Sequence, residues 1–164
     1  MRRIDTLVIH HNGVPGRTIE NIRRSHKARG FDDVGYHVVV EESGQIRKGR
    51  PLGRAGAHVT GLNAHSIGIC LIGNGNQRDF NEAQYDALLE LLVGYCDHFG
   101  LDETNIYGHR ETGPLVPKGK ATKKTCPGRK VNLDLIRDTV KGALEQRTVT
   151  VEIEDPDGEE TGDD

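Results

Sequence analysis

Residues 67–72, Ile-Gly-Ile-Cys-Leu-Ile, are apolar on both alternating faces. A strand with one wet face alternates apolar and polar residues, so a run like this belongs in the middle of a sheet covered on both sides. That requirement points to layers, with helices above and below, and the rest of the chain supplies the helices. Residues 81–99 give the clearest one: Tyr85, Leu88, Leu89, Leu92, Cys96 and Phe99 recur at three- and four-residue steps, and Gly100 ends the run. Thr18 reads as the N-cap of a helix reaching about Arg29 and stopped by Gly30. Asn21 stands where a capping box wants Glu or Gln, so the box reads as incomplete. A last helix is expected over about 132–144.

Further strands are expected at 4–10, ending on His10, at 34–41, at 45–48 after the turn Glu42-Ser43-Gly44, and at 105–107. Residues 49–65 and 112–130 have no hydrophobic period and read as loops. Strands alternating with helices predict a single α/β domain, a central mixed β-sheet flanked by helices. A length of 164 residues suits one such core. We place the domain at 1–147 and an acidic tail at 148–164. In the tail Val149, Val151 and Ile153 alternate as an edge strand would, but the acids that follow favour a flexible end.

The net charge of -3 hides an uneven distribution. The tail holds eight acids and no base; without it 22 bases stand against 17 acids. A cationic body suits an anionic polymer such as cell wall or nucleic acid, and equally suits plain solubility. Nucleic acid is disfavoured, because seven aromatics offer little for base stacking and no recognition-helix pattern is present. No run approaches the ~18 apolar residues that span a bilayer, so membrane insertion is not expected. The N-terminus, Met-Arg-Arg-Ile-Asp, lacks a signal-peptide pattern, which predicts synthesis in the cytoplasm.

Three cysteines cannot all pair, and their spacing suggests no disulfide framework. Cys70 and Cys96 fall on apolar patterns and read as core thiols. Cys126 follows a lysine-rich loop and precedes Pro127, where a thiol needs another reason. Together with histidines in His10-His11 and in Gly-His109-Arg-Glu it makes a sulfur and nitrogen donor set suited to zinc. Three protein ligands leave a fourth tetrahedral position open, the layout of a hydrolase. Alternation along the first strand aims His10 and His11 to opposite sides.

The segments Val-Ile-His-His-Asn, Asp-Val-Gly-Tyr-His-Val-Val-Val, Gly-Ala-His-Val-Thr-Gly-Leu-Asn-Ala-His-Ser-Ile-Gly-Ile-Cys-Leu-Ile-Gly-Asn, Gly-His-Arg-Glu and Thr-Cys-Pro-Gly occur in this order between about Leu7 and Asp138. In them the chain resembles the type-2 N-acetylmuramoyl-L-alanine amidases, a family that includes amidase-type phage endolysins and animal peptidoglycan recognition proteins. The resemblance implies His10, His109 and Cys126 as zinc ligands, with Tyr36 and Lys124 as catalytic residues. Lys123 adjoins Lys124, but the Lys-x-Cys-Pro spacing favours the latter. It implies His58 and Asn63 as substrate-binding residues of the loop, with His65 and Ser66 beside them. The implied reaction is hydrolysis of the amide between the lactyl group of N-acetylmuramic acid and L-alanine in peptidoglycan. The implied setting is a monomeric phage or prophage lysin acting on the cell wall.

For that chemistry zinc provides a nucleophile at neutral pH and polarises the scissile carbonyl. Lys124 and the Tyr36 hydroxyl are expected to stabilise the oxyanion; the general base is left open. Recognition proteins that bind without cleaving typically lack the cysteine, so Cys126 favours the enzyme over a muropeptide-binding module. Arg110 suits a substrate carboxylate or, more simply, a pair with Glu111. His11 and His37 are expected to point away from the metal, and His26 and His98 to be structural or solvent-facing.

Overall fold

A computed structural model describes the backbone over residues 1–153 and the side chains through 147. Five strands form one mixed sheet: β1 (Thr6–His11), β2 (Val38–Val40), β3 (Ile46–Lys48), β4 (Ser66–Leu71) and β5 (Ile106–Gly108), in the order β3-β2-β4-β1-β5. All pairings are parallel except the β2–β3 hairpin. As its two-sided apolarity requires, β4 is the central strand, and all six of its residues are buried.

Three helices cover the sheet: α1 (Ile19–Ala28), α2 (Glu82–Phe99) and α3 (Leu133–Ile153). One face carries Leu7, Ile9, Ile67, Ile69 and Leu71 and packs against Leu88, Leu92 and Cys96 of α2 and Ile136 and Val140 of α3. Burying each of these leucines stabilises the fold by about 1.5–3 kcal/mol. The other face carries Val39 and Cys70 and packs against Ile19 and Ile22 of α1. Beside it, Val8 packs under Val59 and Leu62 of the 49–65 loop. Cys70 and Cys96 are core thiols, as their patterns predicted. Among the described residues no helix is long and apolar enough to cross a membrane.

Four expectations are corrected. The box at α1 is complete, because the Asn21 amide oxygen accepts from Thr18 N–H at 2.9 Å while Asn21 N–H donates to the Thr18 hydroxyl at 3.4 Å. Asparagine thus does the work usually left to Glu or Gln. The strand expected at 34–41 is shortened to Val38–Val40. Gly35 gives its N–H to the His26 ring and its carbonyl to Ala57 N–H, so those groups never join the ladder. The last helix runs nine residues past Leu144, to Ile153, so 149–153 is helix and not an edge strand. The acidic stretch beyond it lies outside the described residues. Fourth, Arg110 does not pair with Glu111: it donates to the carbonyls of Gly128 and Val131, while Glu111 pairs with Arg137 of α3 at 2.8 Å.

Candidate metal centre and substrate groove

The carboxyl end of β1 delivers His10, whose ring turns to the α1 side of the sheet and is 2% exposed. β5 ends at Gly108, and the 3-10 turn His109–Glu111 that follows brings a second imidazole 4.7 Å from the first, ring centre to ring centre. That turn is braced from below: Glu111 accepts from Gly108 N–H at 2.8 Å and is gripped by Arg137. Cys126 arrives on the 112–130 loop with its Sγ 3.7 Å from His10 Nδ1, and His11 N–H donates to the sulfur at 3.3 Å.

Contacts with the 73–76 segment fix that loop. Lys130 N–H donates to Gly75 O, Arg129 N–H to the Asn76 side chain, and Arg110 N–H to Cys126 O. Gly75 and Gly128 meet backbone to backbone, and a Cβ on either would lie 2.1 Å from the other segment. Glycine is required at both. The His11 ring points the opposite way from His10 and accepts from Gly75 N–H, so it anchors the same segment.

One ligand atom from each of His10, His109 and Cys126 lies within 4.8 Å of the others. A tetrahedral zinc, with Zn–S about 2.3 Å and Zn–N about 2.0–2.1 Å, sets sulfur and nitrogen about 3.6 Å apart. The His10–Cys126 separation of 3.7 Å matches that spacing. Burial and the neighbouring histidines push His10 far below its ordinary pKa, and burial followed by the Lys124 charge lowers His109. Both rings are therefore neutral near pH 7, the form that binds metal. Burial pushes the Cys126 thiol up to about 11, against the pull of the His11 N–H, Lys124 and Arg110. A divalent cation deprotonates such a thiol on binding. The donors fit zinc.

These three residues form the floor of a groove of about 1080 Å³, walled by α1 and by the loops carrying His58 and Lys124. Tyr36, His58, Asn63 and Lys124 also line it. The Tyr36 ring lies 5.1 Å from that of His10, and burial, with the Cys70 and Cys126 thiols, raises its hydroxyl well above the ordinary value. It stays an O–H donor at any physiological pH. Lys124 lines the groove and Lys123 is not among the lining residues. Asn63 accepts from the N–H groups of His58 and Val59 at 2.8 and 2.9 Å, which shapes the loop. Of its neighbours, His65 turns to Asp5 and Ser66 contacts the His58 ring.

His37 lies outside the donor set: its Nδ1 accepts from Gly68 N–H and its Nε2 faces Arg54 O. His26 braces Gly35. Sequence reasoning missed one wall of the groove. Arg24 of α1 lines it, with Arg17 just before the helix and Arg29 just after it, and the only signal for them was the clustering of arginines between residues 17 and 29.

A mixed, parallel-centred sheet covered by helices in this order is the fold of solved amidases and peptidoglycan recognition proteins. The sequence profile of the N-acetylmuramoyl-L-alanine amidase family matches residues 1–129, and the chain belongs to that family. It is 41% identical over 80 residues to an endolysin of Klebsiella phage KP32, covering 46% of this chain and 53% of that one. It is 31% identical over 115 residues to peptidoglycan-recognition protein SC2 of Drosophila melanogaster, covering 69% of this chain and 58% of that one. The aligned stretches thus span just over half of each of these two relatives. Among solved structures, the N-acetylmuramoyl-L-alanine amidase LysC from Clostridium intestinale superposes with a TM-score of 0.75 at 26% identity, covering 85% of this chain and 86% of that one.

Proposed function

We propose that this chain is a zinc-dependent N-acetylmuramoyl-L-alanine amidase that hydrolyses the bond between the lactyl group of N-acetylmuramic acid and L-alanine, as a phage or prophage endolysin acting on the cell wall. The observation that carries this reading is the donor set: His10, His109 and Cys126 converge within 4.8 Å on the floor of a groove wide enough for a glycopeptide. Zinc held there supplies Lewis acidity for water and carbonyl alike.

The remaining work falls to the chain's own groups. The Tyr36 hydroxyl, kept protonated by burial, donates to the oxygen on which negative charge develops. The Lys124 ammonium adds a cation to the groove lining. Arg17, Arg24 and Arg29 line the α1 wall, where an anionic substrate is attracted before it docks. Asn63 holds the opposite wall in shape through the His58 and Val59 amides.

A second reading, a muropeptide-binding module without catalysis, draws on the similarity to recognition proteins such as SC2. Cys126 argues against it, since a pure binder has no use for a thiolate ligand. The two separate cleanly by mass spectrometry of defined muropeptides incubated with zinc-loaded protein. New free L-alanine amino ends, lost in Cys126→Ala and with a chelator, support the amidase. Tight binding with intact substrate refutes it.

A further inference from the structure

His10 has two ring nitrogens, and the structure commits both. Nδ1 faces Cys126 Sγ at 3.7 Å, while Nε2 lies 2.8 Å from Nδ1 of His58. A neutral imidazole binds metal through its unprotonated nitrogen, so a His10 that ligates through Nδ1 carries its proton on Nε2. That N–H is sealed in a residue 2% exposed and needs an acceptor. We propose that His58, rather than touching the reacting atoms, is a positioning residue: its Nδ1 accepts from His10 Nε2–H and holds His10 as an Nδ1 ligand.

Several independent features prepare the place for that ring. The His58 Nε2 lies 3.1 Å from the hydroxyl of Ser66, itself fully buried, and donates to it once Nδ1 is the acceptor. Asn63 pins the His58 backbone. Two glycines open the slot: a Cβ on Gly56 would come 2.6 Å from His58 Cδ2, and one on Gly68 would come 2.7 Å from Cγ. The rings of His10 and His58 meet edge to face at 4.9 Å, which aims the nitrogen of one at the nitrogen of the other. The sequence patterns made His58 a groove residue; the geometry gives it a task directed at the ligand behind the groove floor.

The inference rests on the zinc reading, and its test keeps the two apart. Zinc affinity of the full chain is measured by competition with a chromophoric chelator for wild type, His58→Phe, His58→Asn and Ser66→Ala, with folding checked by circular dichroism. Phe fills the slot without an acceptor, whereas the Asn side-chain oxygen stands near the place of Nδ1. We expect His58→Phe to weaken zinc binding by about 10- to 100-fold, the usual cost of losing a partner behind a metal ligand. His58→Asn should recover most of it. Equal zinc affinity in wild type and His58→Phe overturns the inference, as does a defect confined to KM or an Asn variant no better than Phe. If His58→Phe fails to fold, Ser66→Ala decides: weakened zinc binding supports the relay and unchanged binding overturns it. A wild-type chain that takes up no zinc overturns the amidase reading instead, and this inference with it.

Discussion

Gly68 is where the central strand meets the His58 ring, and Gly68→Ala turns that contact into a measurement. The new Cβ would stand 2.7, 2.8 and 2.9 Å from Cγ, Cδ2 and Nδ1 of His58. An ordinary contact between carbons is about 3.5–4.0 Å, so the ring must withdraw by about 1 Å. The strand cannot yield in its place, because β4 is paired with β1 on one edge and β2 on the other. Overpacking of this kind costs about 1–3 kcal/mol, and replacing glycine returns about 0.4–1 kcal/mol through the unfolded chain. Stretching the 2.8 Å contact to His10 adds roughly the ~1 kcal/mol of one hydrogen bond. The sum is a loss of about 2 kcal/mol, or a fall in Tm of about 4–8 °C for a domain of this size. Thermal and urea melts read it directly. The attribution to His58 is tested in the His58→Ala background, where the ring is gone and Gly68→Ala should be neutral or stabilising. An equal cost of Gly68→Ala in both backgrounds would refute the reasoning.

Other sites give sharper or simpler readouts. Gly94→Ala, on an exposed helical position with nothing within 4 Å of the added Cβ, should raise stability by about 0.5–1 kcal/mol in urea melts. Glu111→Ala releases both Gly108 N–H and Arg137 beneath the His109 turn and should cost about 1–3 kcal/mol, with weaker zinc uptake by chelator competition. Tyr36→Phe should leave zinc binding intact while lowering kcat on muropeptides, which steady-state kinetics separates from a binding defect. Burial, reinforced by the Arg2 and Arg50 charges, brings His37 from its ordinary 6.5 down to about 4. The unfolded chain therefore protonates first, so stability present above pH 6.5 should drain away as the pH falls to about 4. That loss is at most about 3 kcal/mol from His37, and the gap between urea midpoints at pH 7.5 and 5 should narrow in His37→Gln, the remainder coming from the other buried histidines.

Local patterns predicted what depends on neighbours in sequence. The stripe from Tyr85 to Phe99 and the two-sided apolarity of 67–72 gave α2 and β4 nearly to the residue, because periodicity reports burial directly. The end of α3 was hidden, since Val149, Val151 and Ile153 alternate like a strand while a helix already running from Leu133 extends more cheaply than a new element starts. The shortening of β2 turns on Gly35 bonding to His26 and Ala57, partners 9 and 22 residues away. Site residues show the same division. The donor pattern singled out His10, His109 and Cys126, and the family resemblance added Tyr36, Lys124, His58 and Asn63; all seven line one groove. Which way each ring faces depends on Ser66, Gly68 and Glu111–Arg137, contacts made only once the chain has closed on itself.

The three donors come from the end of the first ten residues, from the turn after β5 and from a loop 116 positions beyond the first. An ion gripped by all three acts as a removable cross-link spanning most of the polypeptide. It has nothing comparable to hold in an unfolded chain, so at a thousandfold excess over Kd it would shift the folding equilibrium by about 4 kcal/mol. Metal supply and proteolytic lifetime should therefore rise and fall together in this protein, and chelation should expose it to proteases as well as silence it.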